Sequence, residues 1–251
     1  MRNSRRVADC TMAEFAEAMA AGRWLFLPFG TTEEHGPHLP LGTDRLWAEH
    51  VCEEVAAGVQ GLVAPALPYG VCRTMRNFPG TVSLSPATLT ALTREILAEY
   101  VRHAARKLAC ISGHAEPAQE EAIREAALPL AEADPDMVIL CLGPYAFQAP
   151  VREAAGLAGR DGHAGSIETS EMLLIAGDRV RLERMPAVTR PRLSRFRVLA
   201  RPEAEYPTGV RGDTSKVARA LGEESLRHTV REILGLLRNL DARGREWGED
   251  A

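Results

Sequence analysis

The residues best equipped for chemistry lie in one stretch, Gly30-Thr31-Thr32-Glu33-Glu34-His35-Gly36-Pro37-His38-Leu39-Pro40-Leu41-Gly42-Thr43-Asp44, directly behind an apolar run from Trp24 to Phe29. An apolar run that ends in glycine, acid and histidine reads as a buried strand opening into a site. Glu33 and His35 are two apart, so on extended chain their side chains share a face. A carboxylate beside an imidazole can hold a divalent cation. Asp44, beyond a turn rich in Pro and Gly, can close the site. A second apolar run, Leu108 to Ile111, ends the same way in Ser112-Gly113-His114-Ala115-Glu116-Pro117, again with His and Glu two apart. A third segment, Asp161-Gly162-His163-Ala164-Gly165-Ser166-Ile167-Glu168-Thr169-Ser170-Glu171, sets a histidine just before a helix start.

One such pair is common by chance; two at strand ends, with a further histidine, is much less so. Together Glu33, His35, Asp44, His114 and Glu116 offer mixed nitrogen and oxygen donors. That mixture suits zinc, manganese or iron better than magnesium or calcium, which prefer oxygen alone. Five ligands exceed the needs of one tetrahedral zinc. They fit two ions roughly 3.5–4 Å apart that share a bridging carboxylate.

The elements that must position these groups alternate. Thr11 with Glu14 forms a capping-box pattern opening a helix to Ala21. Strands are expected at Trp24–Phe29, Leu62–Leu67, Lys107–Ile111 and Met137–Leu142. Helices are expected at Asp44–Ala57, from Ser85-Pro86 to Arg106, Pro117–Ala133, Glu168–Ala176, and Thr214–Leu240 with a break near Gly222. Residues 144–166 and 186–213 read as long loops. Near-continuous apolar strands between helices predict an α/β fold: a mainly parallel β-sheet with helices on both faces, in a single domain spanning residues 1–251. Ligands collect at the carboxyl ends of strands in such sheets, where both His/Glu pairs sit.

Composition narrows the function classes. Hydrophobic residues make up 45% of 251, enough for a sizeable core, and the net charge of −4 argues against general nucleic-acid binding. Arginines gather at Arg2, Arg5 and Arg6 and at Arg190, Arg192, Arg195, Arg197 and Arg201, in expected loops, as exposed or interfacial charge. The cysteines are Cys10, Cys52, Cys72, Cys110 and Cys141, an odd number without a Cys-x-x-Cys pair. This points to a reducing, cytoplasmic setting rather than a disulfide scaffold. Cys72 stands near the expected pocket, but no neighbouring histidine is assigned to activate it as a nucleophile. Neither a signal peptide nor a run of 18 apolar residues is found, so no membrane association is expected.

At the three motifs the chain resembles the creatininase family. Phe78-Pro79-Gly80-Thr81 and Gly209-Val210-Arg211-Gly212-Asp213 extend the resemblance, which runs roughly from Trp24 to Gly222. It implies an amidohydrolase with two divalent ions, zinc first, manganese or iron as alternatives, held by Glu33, His35, Asp44, His114 and Glu116, with Asp44 as the bridge. It further implies catalytic roles for His163, as acid and base, and for Glu168 and Glu116. The implied reaction is hydrolysis of a C–N bond in a small amide, cyclic ones included, by a metal-activated water. The alternatives are a metal-dependent deformylase or peptidase of the same family, and a non-catalytic metal-binding oligomer. Family members are commonly hexameric, so a homohexamer is implied.

Departures from the family pattern speak against creatinine itself. Ser112 replaces the usual Asn, Ala115 replaces an aromatic, and Cys72-Arg73-Thr74-Met75-Arg76-Asn77 replaces a segment with Ser and a Glu-His pair. Arg73 and Arg76 would suit an acidic or phosphate-bearing substrate, with surface or subunit salt bridges as the alternative. Asp161 is expected to orient His163 or contact substrate, and His38 to support the first loop.

Overall fold

A computed structural model describes residues 5–188 and 200–243. The arginines at 2, 190, 192, 195 and 197 lie outside them. Four parallel strands, β1 (Leu25–Phe29), β2 (Leu62–Val63), β3 (Lys107–Ser112) and β4 (Val138–Leu142), form one sheet in the order β2-β1-β3-β4. The helices are α1 (Met12–Ala20), α2 (Thr43–Val59), α3 (Pro86–Arg102), α4 (Pro117–Ala133), α5 (Pro144–Ala154), α6 (Ser166–Ile175) and α7 (Arg219–Arg243).

The period-two pleat divides each central strand between two cores. Leu25, Leu27 and Phe29 of β1, with Leu108 and Cys110 of β3, pack on one side against Met19, Leu97, Ile123 and Ala127 from α1, α3 and α4. Phe26, Ala109 and Ile111 face the other way, against Trp47, Val51 and Val55 of α2 and Ile233 and Leu237 of α7. Each fully buried Leu, Ile, Val or Phe among them contributes roughly 1.5–3 kcal/mol relative to exposure. The expected α/β architecture, parallel and covered on both faces, is what forms. Thr11 and Glu14 make both halves of the capping box, and Ser85 accepts from the Thr88 amide at 3.1 Å.

Three elements differ from expectation, each for a local reason. The second strand stops at Val63 because Pro65 has no N–H to give; one further bridge joins Phe29 to Leu67. Residues 144–154 are helix rather than loop. Pro144 occupies the first turn, where its missing N–H costs nothing, and Pro150 is accommodated inside. The last helix starts at Arg219 and is unbroken at Gly222. There it lies so close to α6 that a Cβ on Gly222 would sit 2.2 Å from the Ser170 carbonyl oxygen. Among the described residues no helix is long and apolar enough to cross a membrane.

Candidate active site

β1 and β3 are neighbours in register, Phe29 opposite Ser112, so the loops leaving their carboxyl ends emerge side by side. The first carries Glu33 and His35; the second carries His114. Asp44 enters from the first turn of α2, 2% exposed. The second loop approaches the α2 backbone so closely that a Cβ on Gly113 would be 2.0 Å from the Asp44 carbonyl oxygen, so only glycine fits. Ser112 takes up the turn itself: its Oγ donates to the His114 carbonyl at 2.7 Å and accepts from the Gln119 side-chain amide at 3.1 Å.

The donors converge with a common pattern. His35 Nε2 lies 3.0 Å from Asp44 Oδ1, and its Nδ1 lies 3.1 Å from the Glu33 carbonyl. His114 Nδ1 lies 3.0 Å from Glu33 Oε2 and 3.1 Å from Asp44 Oδ2, and its Nε2 lies 3.0 Å from the Val71 carbonyl. A carbonyl oxygen only accepts, so the outer ring nitrogen carries the hydrogen in each case. The inner nitrogen faces carboxylate oxygens: protonated, it donates to them; deprotonated, it offers its lone pair to a cation shared with them. Metal-binding histidines are oriented in this way, with the far N–H fixed on a carbonyl or carboxylate.

Charge shifts follow from that crowding. Burial alone would lower the pKa of His35, but Asp44, aided by Glu168 and Glu33, pushes it up to about 10. His114 is likewise raised, against the cost of its burial, by Glu33 and Asp44. Asp44 is held below the usual carboxylate range: burial opposes this, and His35 and His114 override it. Thr31 Oγ1 also donates to Asp44 Oδ2. Glu33 Oε2 is fully buried and, despite its 3.0 Å approach to His114 Nδ1, makes no aligned hydrogen bond.

His163 sits over His35, ring centroids 4.3 Å apart. Its Nε2 is 2.8 Å from the Glu34 carbonyl and 3.2 Å from Glu34 Oε1, which leaves Nδ1 as the lone-pair nitrogen of the neutral ring. The next residue, Ala164, has φ +54°, a left-handed conformation costly for any residue with a side chain. Its N–H donates to Glu168 Oε2 at 2.6 Å, so Glu168 holds the loop that carries His163. Asp161 does not contact His163 by hydrogen bond. Its Oδ1 accepts from the Ser166 amide at 2.9 Å, at the start of α6, and burial raises its pKa to about 6, with Glu168 adding to the shift. His38 is buried, bonded to Thr169 Oγ1 at 2.9 Å, and pushed down to about 4 by burial and by His35 and His163.

Glu33, Asp44, His114, Asp161, His163 and Glu168 wall a cavity of about 380 Å³, lined also by Thr74, Met75, Ala115, Glu116, Tyr206 and Arg211, with His35 and His38 buried behind it. That is the size of a small-molecule site. Ligand atoms of Glu33, His35 and His163 lie within 4.8 Å of one another, as do those of Glu33, Cys72 and His114. Glu116 lines the cavity but joins neither group. Arg73 and Arg76 are exposed and are not among the lining residues, which include Arg211 from the Gly209–Asp213 turn. Sequence reading passed over Glu34 and the cavity roles of Tyr206 and Arg211. Two adjacent acids, Glu33 and Glu34, before His35 were the available signal for the first.

Behind the cavity Glu171 is buried, accepting from Ser225 Oγ at 2.7 Å and Gln148 Nε2 at 3.0 Å. Burial raises its pKa to about 8. The folded chain therefore retains a proton that the unfolded chain releases near pH 4.5. This contribution to stability is complete below that value and is lost as pH rises towards 8, at up to about 1.4 kcal/mol per pH unit. Glu171→Gln is expected to flatten the fall in Tm over this window and to raise Tm at its alkaline end. An unchanged slope would show that Glu171 ionises normally.

A family model described as creatinine amidohydrolase matches residues 8–237. The creatinine amidohydrolase of Pseudomonas putida is 33% identical over 257 residues, covering 95% of this chain and 98% of that protein. A mycofactocin precursor peptide peptidase of Mycobacterium tuberculosis is 34% identical over 218 residues, covering 79% of this chain and 78% of that protein. The solved structure of "Creatininase Mn" superposes with a TM-score of 0.87 at 30% identity, covering 94% of this chain and 98% of that one. Agreement of sequence over nearly the whole length and of fold places the chain in the creatininase family of hydrolases.

Proposed function

We propose that the chain is a metal-dependent amidohydrolase that cleaves a C–N bond in a small amide bearing an anionic group. The observation that carries this reading is the orientation of His35 and His114. Each fixes its outer N–H on a backbone carbonyl and aims its inner nitrogen at buried carboxylate oxygens, an arrangement that a cation between them would satisfy. The unaligned, buried Glu33 Oε2 fits the same centre. Asp44 presents Oδ1 to His35 and Oδ2 to His114, which supports reading it as the carboxylate two ions would share. Glu33, His35, Asp44 and His114 would hold the ions, and Glu116, which lines the same cavity, is the further ligand that the family resemblance implies. Zinc or manganese suits the donors.

When bound, two such ions would acidify a water and polarise the substrate carbonyl. The chain's own residues do the rest. His163, with Nε2 committed to Glu34, has Nδ1 available to take a proton and return it to the leaving nitrogen. Glu168 and the left-handed Ala164 hold that ring in place. Tyr206 supports Arg211, whose guanidinium lies 5.1 Å from the ring centroid, while the Arg211 amide donates to the His163 carbonyl at 3.0 Å. Arg211 is thereby tied to the segment that carries the acid–base group, where its fork can receive a carboxylate.

A peptidase reading is also favoured by Arg211, which would receive a peptide's terminal carboxylate, and by the peptidase relatives. A panel of cyclic amides, formamides, N-acyl amino acids and short peptides tests both readings. Turnover is expected for members bearing a carboxylate. Arg211→Gln should raise their KM by about 10- to 100-fold, the worth of one charged hydrogen bond, with kcat nearly kept. Equal KM in the variant would remove the anionic-substrate assignment. A metal-loaded protein that hydrolyses no panel member would favour a non-catalytic oligomer. A homohexamer in the cytoplasm is the assembly and setting proposed from the family resemblance.

A further inference from the structure

Cys72 is a cysteine that sequence reading could tie only loosely to the site, and its surroundings are specific. Its backbone is pinned from both sides. The Cys72 amide donates to Ser83 Oγ at 2.9 Å, and the Val71 amide donates to Gln119 Oε1 at 3.0 Å. Gln119 is the residue that also fixes Ser112 in the His114 turn, and the Val71 carbonyl receives the His114 Nε2 hydrogen. One network therefore sets both Cys72 and His114. Cys72 is fully buried, and its Sγ lies within 4.8 Å of ligand atoms of both Glu33 and His114. Glu33 Oε2, the buried oxygen without an aligned hydrogen bond, belongs to the same cluster.

We propose that Cys72 supplies a sulfur ligand to the ion held by Glu33 and His114, and so selects zinc over manganese at that position. The inference rests on the metal reading above and adds a donor to it. Coordination exchanges the Sγ–H bond for an Sγ–metal bond, and the proton leaves to solvent. Sulfur is a soft donor: it favours zinc, whereas manganese prefers oxygen.

X-ray absorption on the native, zinc-loaded protein is the direct test, with metal content measured on the same sample. One sulfur neighbour at about 2.3 Å among nitrogen and oxygen neighbours at about 2.0–2.2 Å is expected. In cobalt-loaded protein a sulfur-to-cobalt charge-transfer band should appear and be absent from Cys72→Ser. That variant should lose zinc-over-manganese preference by at least about 100-fold, the upper end for weakening a metal's support. Bound zinc with only nitrogen and oxygen neighbours overturns the Cys72 assignment and leaves the metal reading standing. Protein that retains no metal overturns both.

Discussion

Replacing His35 with alanine is expected to remove at least one ion per chain and to leave no measurable hydrolysis. His35 is 0% exposed, and its Nε2 faces Asp44 Oδ1 with no solvent route to replace it. The substitution takes away an ion's nitrogen donor and leaves Asp44 Oδ1 buried without its partner. His114 continues to pair with Asp44 Oδ2 and Glu33, so the second position retains its donors. Metal analysis of the purified variant, with a melting curve to show that it remains folded, checks the result. A folded variant with full metal content and activity would remove His35 from the centre.

His163→Ala separates two roles that the geometry brings close together. The ring has an atom within 4.8 Å of ligand atoms of Glu33 and His35, so proximity alone would allow it to bind an ion. Its Nε2 is held by Glu34, as the outer nitrogens of His35 and His114 are held by carbonyls, but whereas their inner nitrogens face Asp44 oxygens at 3.0 and 3.1 Å, the ion-pair distance of His163 is to Glu34 through Nε2. The acid–base assignment predicts that metal content is kept while turnover falls about 10²- to 10⁴-fold, with the loss in kcat. Loss of one ion would make His163 a ligand instead. Retained metal with native turnover would exclude it from both roles.

Much of this was legible because the signals were local. The apolar runs of β1 and β3 and the two-residue spacing of Glu33 and His35 sit on adjacent residues, and a parallel sheet brings such strand ends together. The register of Phe29 with Ser112 then makes the meeting of His35, Asp44 and His114 a consequence of strand order. What stayed hidden depends on chain returning from far away. Tyr206 and Arg211 reach the cavity on a loop whose path no periodicity encodes. Arg73 and Arg76 were expected at the substrate, but both are exposed, and Thr74 and Met75 between them line the cavity instead. Helix α5 was obscured by Pro144 and Pro150, which break a helix in isolation but are tolerated here at its first turn and within it.

Anomalous diffraction from crystals of the metal-loaded protein tests the central claim most directly. Two peaks flanking Asp44 are expected, one beside His35 and the other between Glu33 and His114. Peaks elsewhere, or an active protein with none at Asp44, would contradict it.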